Sequence, residues 1–310
     1  MQQPAPAEPS YQDEHTLIMK RLGYLLIFIA LLGNVALMSA QTTDYEQRYD
    51  RLVAKVGHAG IGVENLLTKW EQQDSTNKKM LVAKFNYYFS KSQTGEVVKK
   101  EQKKYLGMDP LLSLKDSSGN TIYYYQEQFY DDEIYSKALN TVEKAIRFYP
   151  DELDYRFLKA NALVAYEKES PDMALAYLLD LADIDKQRKR PWNYEGQKVS
   201  EIFAAEALQE YCHTFYSVGS PSSMGAFLAL SERLYELHPD MTCFLSNIAT
   251  YYLVFKEDPK KALKYYNKVL KKVKDDEVAL RNALVAARKL ENAKLEAKYR
   301  NQLVKYGYMK

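Results

Sequence analysis

A chain of 310 residues with 46% hydrophobic content carries ample apolar material for a core, which excludes a disordered chain. A formal net charge of +2 gives no general pull towards nucleic acid, so no nucleic-acid partner is expected. Glycine (12) and proline (10) are too scarce for an all-β or loop-rich fold, whereas 27 tyrosines suit helix interfaces, where a ring packs and its hydroxyl reaches water.

At the front, Lys20-Arg21 precedes an apolar run from Leu22 to Met38, then Ser39-Ala40 and polar Gln41-Thr42-Thr43-Asp44. A basic stretch, an apolar stretch and a small-residue site make residues 19–40 a secretory signal peptide, with cleavage after Ala40. The alternative is an uncleaved single-pass membrane anchor, for which the run is short against the roughly 20 apolar residues of a spanning helix. The expected location is therefore periplasmic or secreted, and the membrane is met only through an uncleaved signal segment. Residues 1–18 lie upstream of Met19, the start that this pattern favours, and read as an extension from a start codon assigned too early.

Residues 41–92 read as amphipathic helices. Tyr45, Tyr49, Leu52, Val53 and Val56 recur at helical spacing and Gly57 stops them. Val63, Leu66, Leu67 and Trp70 mark a second helix, broken by Asp74-Ser75-Thr76-Asn77, and Met80, Leu81, Phe85, Tyr88 and Phe89 a third. Residues 93–130 change character and read as a linker carrying a β-hairpin insert. Leu111 to Lys115 and Thr121 to Tyr125 are β-favouring runs on either side of Asp116-Ser117-Ser118-Gly119-Asn120. A lone hairpin is marginal in water, so it is expected to lie against the helices, with Tyr123 and Tyr125 as candidate partner-binding residues.

From Asp131 to residue 310 the helices resume, with breaks near Pro150, Pro171, Pro191, Pro221, Pro239, Pro259, Asp275-Asp276 and Glu291-Asn292. Alternate breaks fall mostly thirty-odd residues apart, near the repeat of about 34 residues of tetratricopeptide (TPR) helix pairs. Ala138, Val142, Ala145 and Pro150 stand at the second-helix positions of that motif, and Ala249, Tyr252, Ala262, Tyr266 and Val269 cover a later copy with one extra residue in its turn. Phe227 departs from the pattern where a small residue is expected, and the pair around Leu280–Leu290 and Ala293–Val304 reads as a C-terminal cap. Over roughly residues 131–306 the chain thus resembles the TPR superfamily, and its layout resembles the signal-peptide-bearing TPR proteins of Bacteroidota. The resemblance implies an all-α fold, a right-handed superhelix of antiparallel helix pairs, with one small β-hairpin insert. It also implies a binding scaffold whose first helices line a concave face, where the exposed members of Asn161, Asn247, Arg281 and Asn282 are the candidate ligand contacts. The Lys/Asn/Arg clamp that some TPR proteins use for C-terminal carboxylates is not matched at those positions.

No catalytic pattern emerges. His15, His58, His213 and His238 are scattered without metal-ligand spacing, and Gly57-His58-Ala59-Gly60-Ile61-Gly62 lacks the lysine and preceding strand of a phosphate loop. Cys212 and Cys243 are too few for a disulfide framework and read as small core residues. The sequence therefore points to an exported, non-enzymatic helical-repeat scaffold that binds a protein or peptide in the cell envelope, with no cofactor. The alternative is a carbohydrate-binding helical protein using Trp70, Trp192 and Tyr123–Tyr125 as stacking platforms. The sequence sets no oligomeric state.

Overall fold

The computed structural model describes residues 44–309. The signal segment at 19–40 and the extension at 1–18 lie outside the described residues. Helices α1 (Asp44–Val56), α2 (Val63–Gln73) and α3 (Lys78–Ser92) lead into strands β1 (Gln93–Lys100), β2 (Leu112–Lys115) and β3 (Thr121–Tyr130). Then follow α4 (Asp132–Phe148), α5 (Leu153–Glu167), α6 (Asp172–Gln187), a minimal ribbon of β4 (Asn193–Tyr194) and β5 (Gln197–Lys198), α7 (Phe203–Val218) and α8 (Pro221–Leu237). The chain closes with α9 (Thr242–Thr250) and its π-helical extension Tyr251–Phe255, α10 (Pro259–Lys272), α11 (Glu277–Lys289) and α12 (Ala293–Lys305).

Short polar side chains start these helices by accepting from backbone N–H groups that have no partner in the first turn. Asn77 Oδ1 accepts from Met80 N at 3.0 Å, Asp131 Oδ1 from Ile134 N at 2.9 Å, and Ser220 Oγ from Ser223 N at 3.0 Å. Asp258, Asp276 and Asn292 do the same for α10, α11 and α12. Each such cap is worth about 1 kcal/mol. Pro221 and Pro259 follow their caps at the first helical position, where a missing N–H costs nothing.

Successive helices pair across short turns and bury alanine and leucine between them. The core runs as three clusters along the stack: one from Tyr49 and Trp70 to Ala162, one from Leu153 to Tyr251, and one from Leu245 to Leu303. Each cluster joins neighbouring pairs, which is how a solenoid distributes its stability. Phe227, out of pattern in the motif, is buried against Tyr216 with ring centroids 5.4 Å apart. The extra residue in the α9–α10 copy is absorbed as the π turn, in which Lys256 N donates to Tyr251 O at 3.1 Å. Segment 57–62 is the turn between α1 and α2. A Cβ on Gly60 would lie 2.2 Å from Val56 Cγ2 and 2.4 Å from Val56 O, so only glycine fits there.

The sequence places a hairpin at 111–125, and β2 and β3 form it, with Lys115 opposite Thr121 and Asp116 closing the turn. A third strand was not foreseen. β1 pairs antiparallel with β3 from Gln93↔Tyr130 to Lys100↔Tyr123, so the sheet order is β1-β3-β2. β1 leaves α3 directly and β3 runs directly into α4, and Asp131 N donates to Ser92 O at 2.8 Å where the four elements meet. Helices α3 and α4 pack on each other as one pair. Residues 93–130, read as a linker between two regions, are therefore the expanded turn of a single helix pair. Phe89, Tyr130, Tyr135 and Tyr166 weld its root, with the Tyr135 and Tyr166 rings stacked at 4.4 Å.

Candidate functional site

The sheet has two faces of opposite character. Cross-strand partners share a face, and alternate residues along a strand change face. Tyr125 and Glu127 lie on the buried face. Tyr125 is 1% exposed, and its hydroxyl donates to Gln102 O at 2.9 Å. Glu127 is buried and accepts from Lys168 Nζ, on the α5–α6 turn, at 2.6 Å, with Lys100 Nζ at 3.9 Å. The Tyr105 hydroxyl, and then Glu127, hold the Lys100 ammonium above the usual lysine range. The loop beyond β1 touches the far end of α7, where a Cβ on Gly107 would meet Ser217 O at 2.4 Å. The insert thus reaches from its own helix pair across to the third.

The outer face carries Val97, Lys99, Leu112, Leu114, Ile122, Tyr124 and Gln126. Val97 is 65% exposed, Leu112 51% and Leu114 48%, and Leu111 beside them 66%. Ile122, Tyr124 and Leu114 line an open trough of about 570 Å³ together with Lys99, Lys100, Glu101, Gln102 and Lys115. Asp116 also lines it, but its Oδ1 accepts from the N–H groups of Ser118 and Asn120 at 2.9 and 2.8 Å. Those backbone bonds, Asn120 first, hold its carboxyl below the usual carboxylate range.

The residues named from the helical motif are mostly engaged. Asn161 is half-buried on α5 and its Oδ1 accepts from Tyr211 of α7 at 2.8 Å. Asn247 is buried on α9 and bonded to Gln209 and Ser231, so it is not among the exposed candidates. Arg281 pairs with Glu277 at 2.6 Å and donates to Tyr308 O at 2.8 Å, holding the last residues against α11. Asn282 is half-buried and makes no side-chain hydrogen bond among the described residues. Of the two tyrosines named on the insert, Tyr123 is half-buried and Tyr125 is core. The apolar outer face was missed as a unit, although the alternation Leu112-Ser113-Leu114 opposite Ile122-Tyr123-Tyr124 carries its signal.

The sugar-stacking platforms are not available as expected. Trp70 and Trp192 are 1% and 3% exposed. Trp192 has the guanidinium groups of Arg156 and Arg188 5.1 and 3.5 Å from its ring centroid, and donates Nε1–H to Asp185 at 2.7 Å. Neither cysteine is bridged. Among the described residues no group of three or more His, Cys, Asp or Glu is placed to hold a metal ion.

No family model matches the chain, and no curated protein matches it. Among solved structures it is similar to MamA at 13% identity and a TM-score of 0.38, over 56% of this chain and 82% of that one. It is similar to PilW, described as a widely conserved type IV pilus biogenesis factor, at 13% identity and a TM-score of 0.36, over 97% of both chains. It is similar to YrrB, described as a TPR protein with an unusual peptide-binding site, at 16% identity and a TM-score of 0.33, over 85% of this chain and 96% of that one. Likenesses of this size carry no argument. The helix pairing itself shows a mostly helical protein of stacked helix pairs with a small antiparallel sheet.

Proposed function

We propose that the chain is an exported scaffold of TPR-like helix pairs that binds a protein or peptide partner in the cell envelope and performs no catalysis. One observation carries the reading. An exposed apolar sheet face, with Val97 on one edge strand and Leu112 and Leu114 on the other, is tied to the helix stack by the buried Glu127, which accepts from Lys168. Clustered exposed apolar residues on a rigid support mark interaction surfaces. Export is supported by the basic, apolar and small-residue order of residues 19–40. Among the described residues no helix is long and apolar enough to cross a membrane, so on this reading any membrane attachment comes through that segment.

Chemical cross-linking of the tagged chain in its native envelope, followed by mass spectrometry, tests both parts. The proposal expects one dominant protein partner and a mature N-terminus at Gln41. Glycan retained on the bait with no protein partner would move the carbohydrate-binding alternative ahead of it.

A further inference from the structure

We propose that the outward face of helices α10 and α12 adsorbs to a lipid bilayer that bears anionic headgroups. The inference goes beyond the scaffold reading, which gives the chain a membrane only through residues 19–40, and it concerns a different surface from the sheet. Charge is spread unevenly along the chain. Residues 256–310 carry sixteen Lys and Arg against seven Asp and Glu, a net charge of +9 in a chain of +2 overall. The excess is densest in α10, which has six lysines and no acid.

Helical spacing sorts these lysines onto one side. On α10, Lys260, Lys264, Lys268 and Lys271 form a stripe about 16 Å long, opposite the buried Ala262, Tyr266 and Val269. On α12, Lys294, Lys298 and Lys305 form a second stripe, opposite the buried Tyr299 and Leu303. All seven are exposed, and none forms an ion pair among the described residues. The two helices touch directly. The Tyr299 hydroxyl donates to Asn267 Oδ1 at 2.9 Å, and Asn267 lies within the α10 stripe. The stripes thus flank each other on the outside of the stack.

The acids of this region do not interrupt them. Asp258 and Asp276 cap α10 and α11, and Glu277 pairs with Arg281. Glu296, the one acid on α12, pairs with Arg288 and Arg300. Glu257, Asp275 and Glu291 lie in the turns at the helix ends.

Residue type decides between the anionic partners that such stripes could meet. Every member of both stripes is lysine. Lysine is a strongly hydrated point charge and is depleted from protein interfaces, whereas arginine supplies the bidentate contacts that hold nucleic-acid phosphates and partner carboxylates. An anionic bilayer needs no desolvated contact, because its surface potential attracts lysines within a Debye length, over an area as wide as two helices. Val273 and Val304, 39% and 49% exposed beside Lys272 and Lys305, add an apolar group at the end of each helix, of the kind an interface takes up.

The test is co-sedimentation of the chain from Gln41, which holds every described residue, with vesicles of phosphatidylcholine alone or mixed with phosphatidylglycerol. Binding is expected only to the mixed vesicles and is expected to vanish as salt is raised. The triple variant Lys264→Gln/Lys268→Gln/Lys271→Gln is expected to partition about a hundredfold more weakly. Arginine at the same three positions is expected to keep the binding, which separates charge from fold. Lys99→Gln/Lys103→Gln/Lys104→Gln removes as many exposed charges from the sheet and its loop, and is expected to stay near the parent value. Unchanged melting curves confirm that the variants fold. Binding to neither vesicle, equal binding to both, or equal loss in the two glutamine variants overturns the proposal. So does soluble polyglutamate or single-stranded DNA that binds more tightly than vesicles of equal charge and is lost in the α10 variant. A protein partner cross-linked to the sheet face is independent of all these outcomes.

Discussion

Asn247 Nδ2 donates to Gln209 Oε1 at 2.8 Å and to Ser231 Oγ at 3.2 Å, while Asn247 Oδ1 accepts from Gln209 Nε2 at 3.2 Å. A pair of amides thus ties α9 to α7, with α8 as the third member. Asn247, buried and so outside the exposed candidates, is a rung between these helices.

Replacing Asn247 by alanine leaves Gln209 and Ser231 without these partners in a largely buried place. An unmet buried polar group costs about 1–3 kcal/mol. Urea denaturation of Asn247→Ala is expected to show that loss. Partner capture at temperatures where the variant stays folded is expected to be unchanged, whereas a ligand contact would show weakened capture at unchanged stability.

Gly107 has a φ of 74° and leaves no room for a Cβ beside Ser217 O. Gly107→Ala therefore strains the backbone and pushes the loop away from α7, at a cost of about 1–3 kcal/mol. Hydrogen exchange is expected to accelerate through residues 101–111 and at the end of α7, while α9 to α12 keep their protection.

Tyr125→Ala removes a fully buried ring and its bond to Gln102, with a cost of about 3–5 kcal/mol expected for a large aromatic. Because the sheet is an expanded turn, the loss is expected to open β1 to β3 locally and leave the helices folded. Tyr123→Ala, at a half-buried position, is expected to cost clearly less. Exchange protection of residues 93–130, compared between the two variants, measures the difference.

His58 and His238 both carry an imidazole whose pKa burial lowers from its ordinary value of 6.5; at His238 the nearby Asp185 opposes the shift without reversing it. A depressed pKa means that the unfolded chain binds the proton more readily. Their contribution is therefore present above about pH 6.5 and is lost as pH falls below it, through the folded values. Denaturation midpoints at pH 7.5, 6.5 and 5.5 are expected to fall towards acid. The slope is expected to flatten in His58→Asn/His238→Asn.

Most helices are legible because their signals are local: apolar residues at helical spacing, a capping Asn, Asp or Ser, and a Gly or Pro stop. The β2–β3 hairpin is legible for the same reason, from Asp116 to Asn120. β1 is not, because Gln93–Lys100 is polar and lysine-bearing, the composition of an edge strand protected against stray pairing. The pairing of α3 with α4 is hidden by the 93–130 insert, which breaks the repeat interval. The hydrogen bonds of Asn161, Asn247 and Arg281 are hidden for a related reason. Tyr211, Gln209 and Tyr308, their partners, lie far along the chain, and spacing within one helix says nothing of them. The apolar trough emerges only when β1 and β2 are both set beside β3.

On the proposed reading, this helix stack presents its exposed surface to a protein. The most direct measurement is photo-cross-linking in the native envelope, with benzoylphenylalanine replacing Leu114 in one chain and Val285, 41% exposed on α11, in another. A light-dependent protein adduct is expected from Leu114. Adducts only with lipid or glycan, or no adduct from either position, would contradict it.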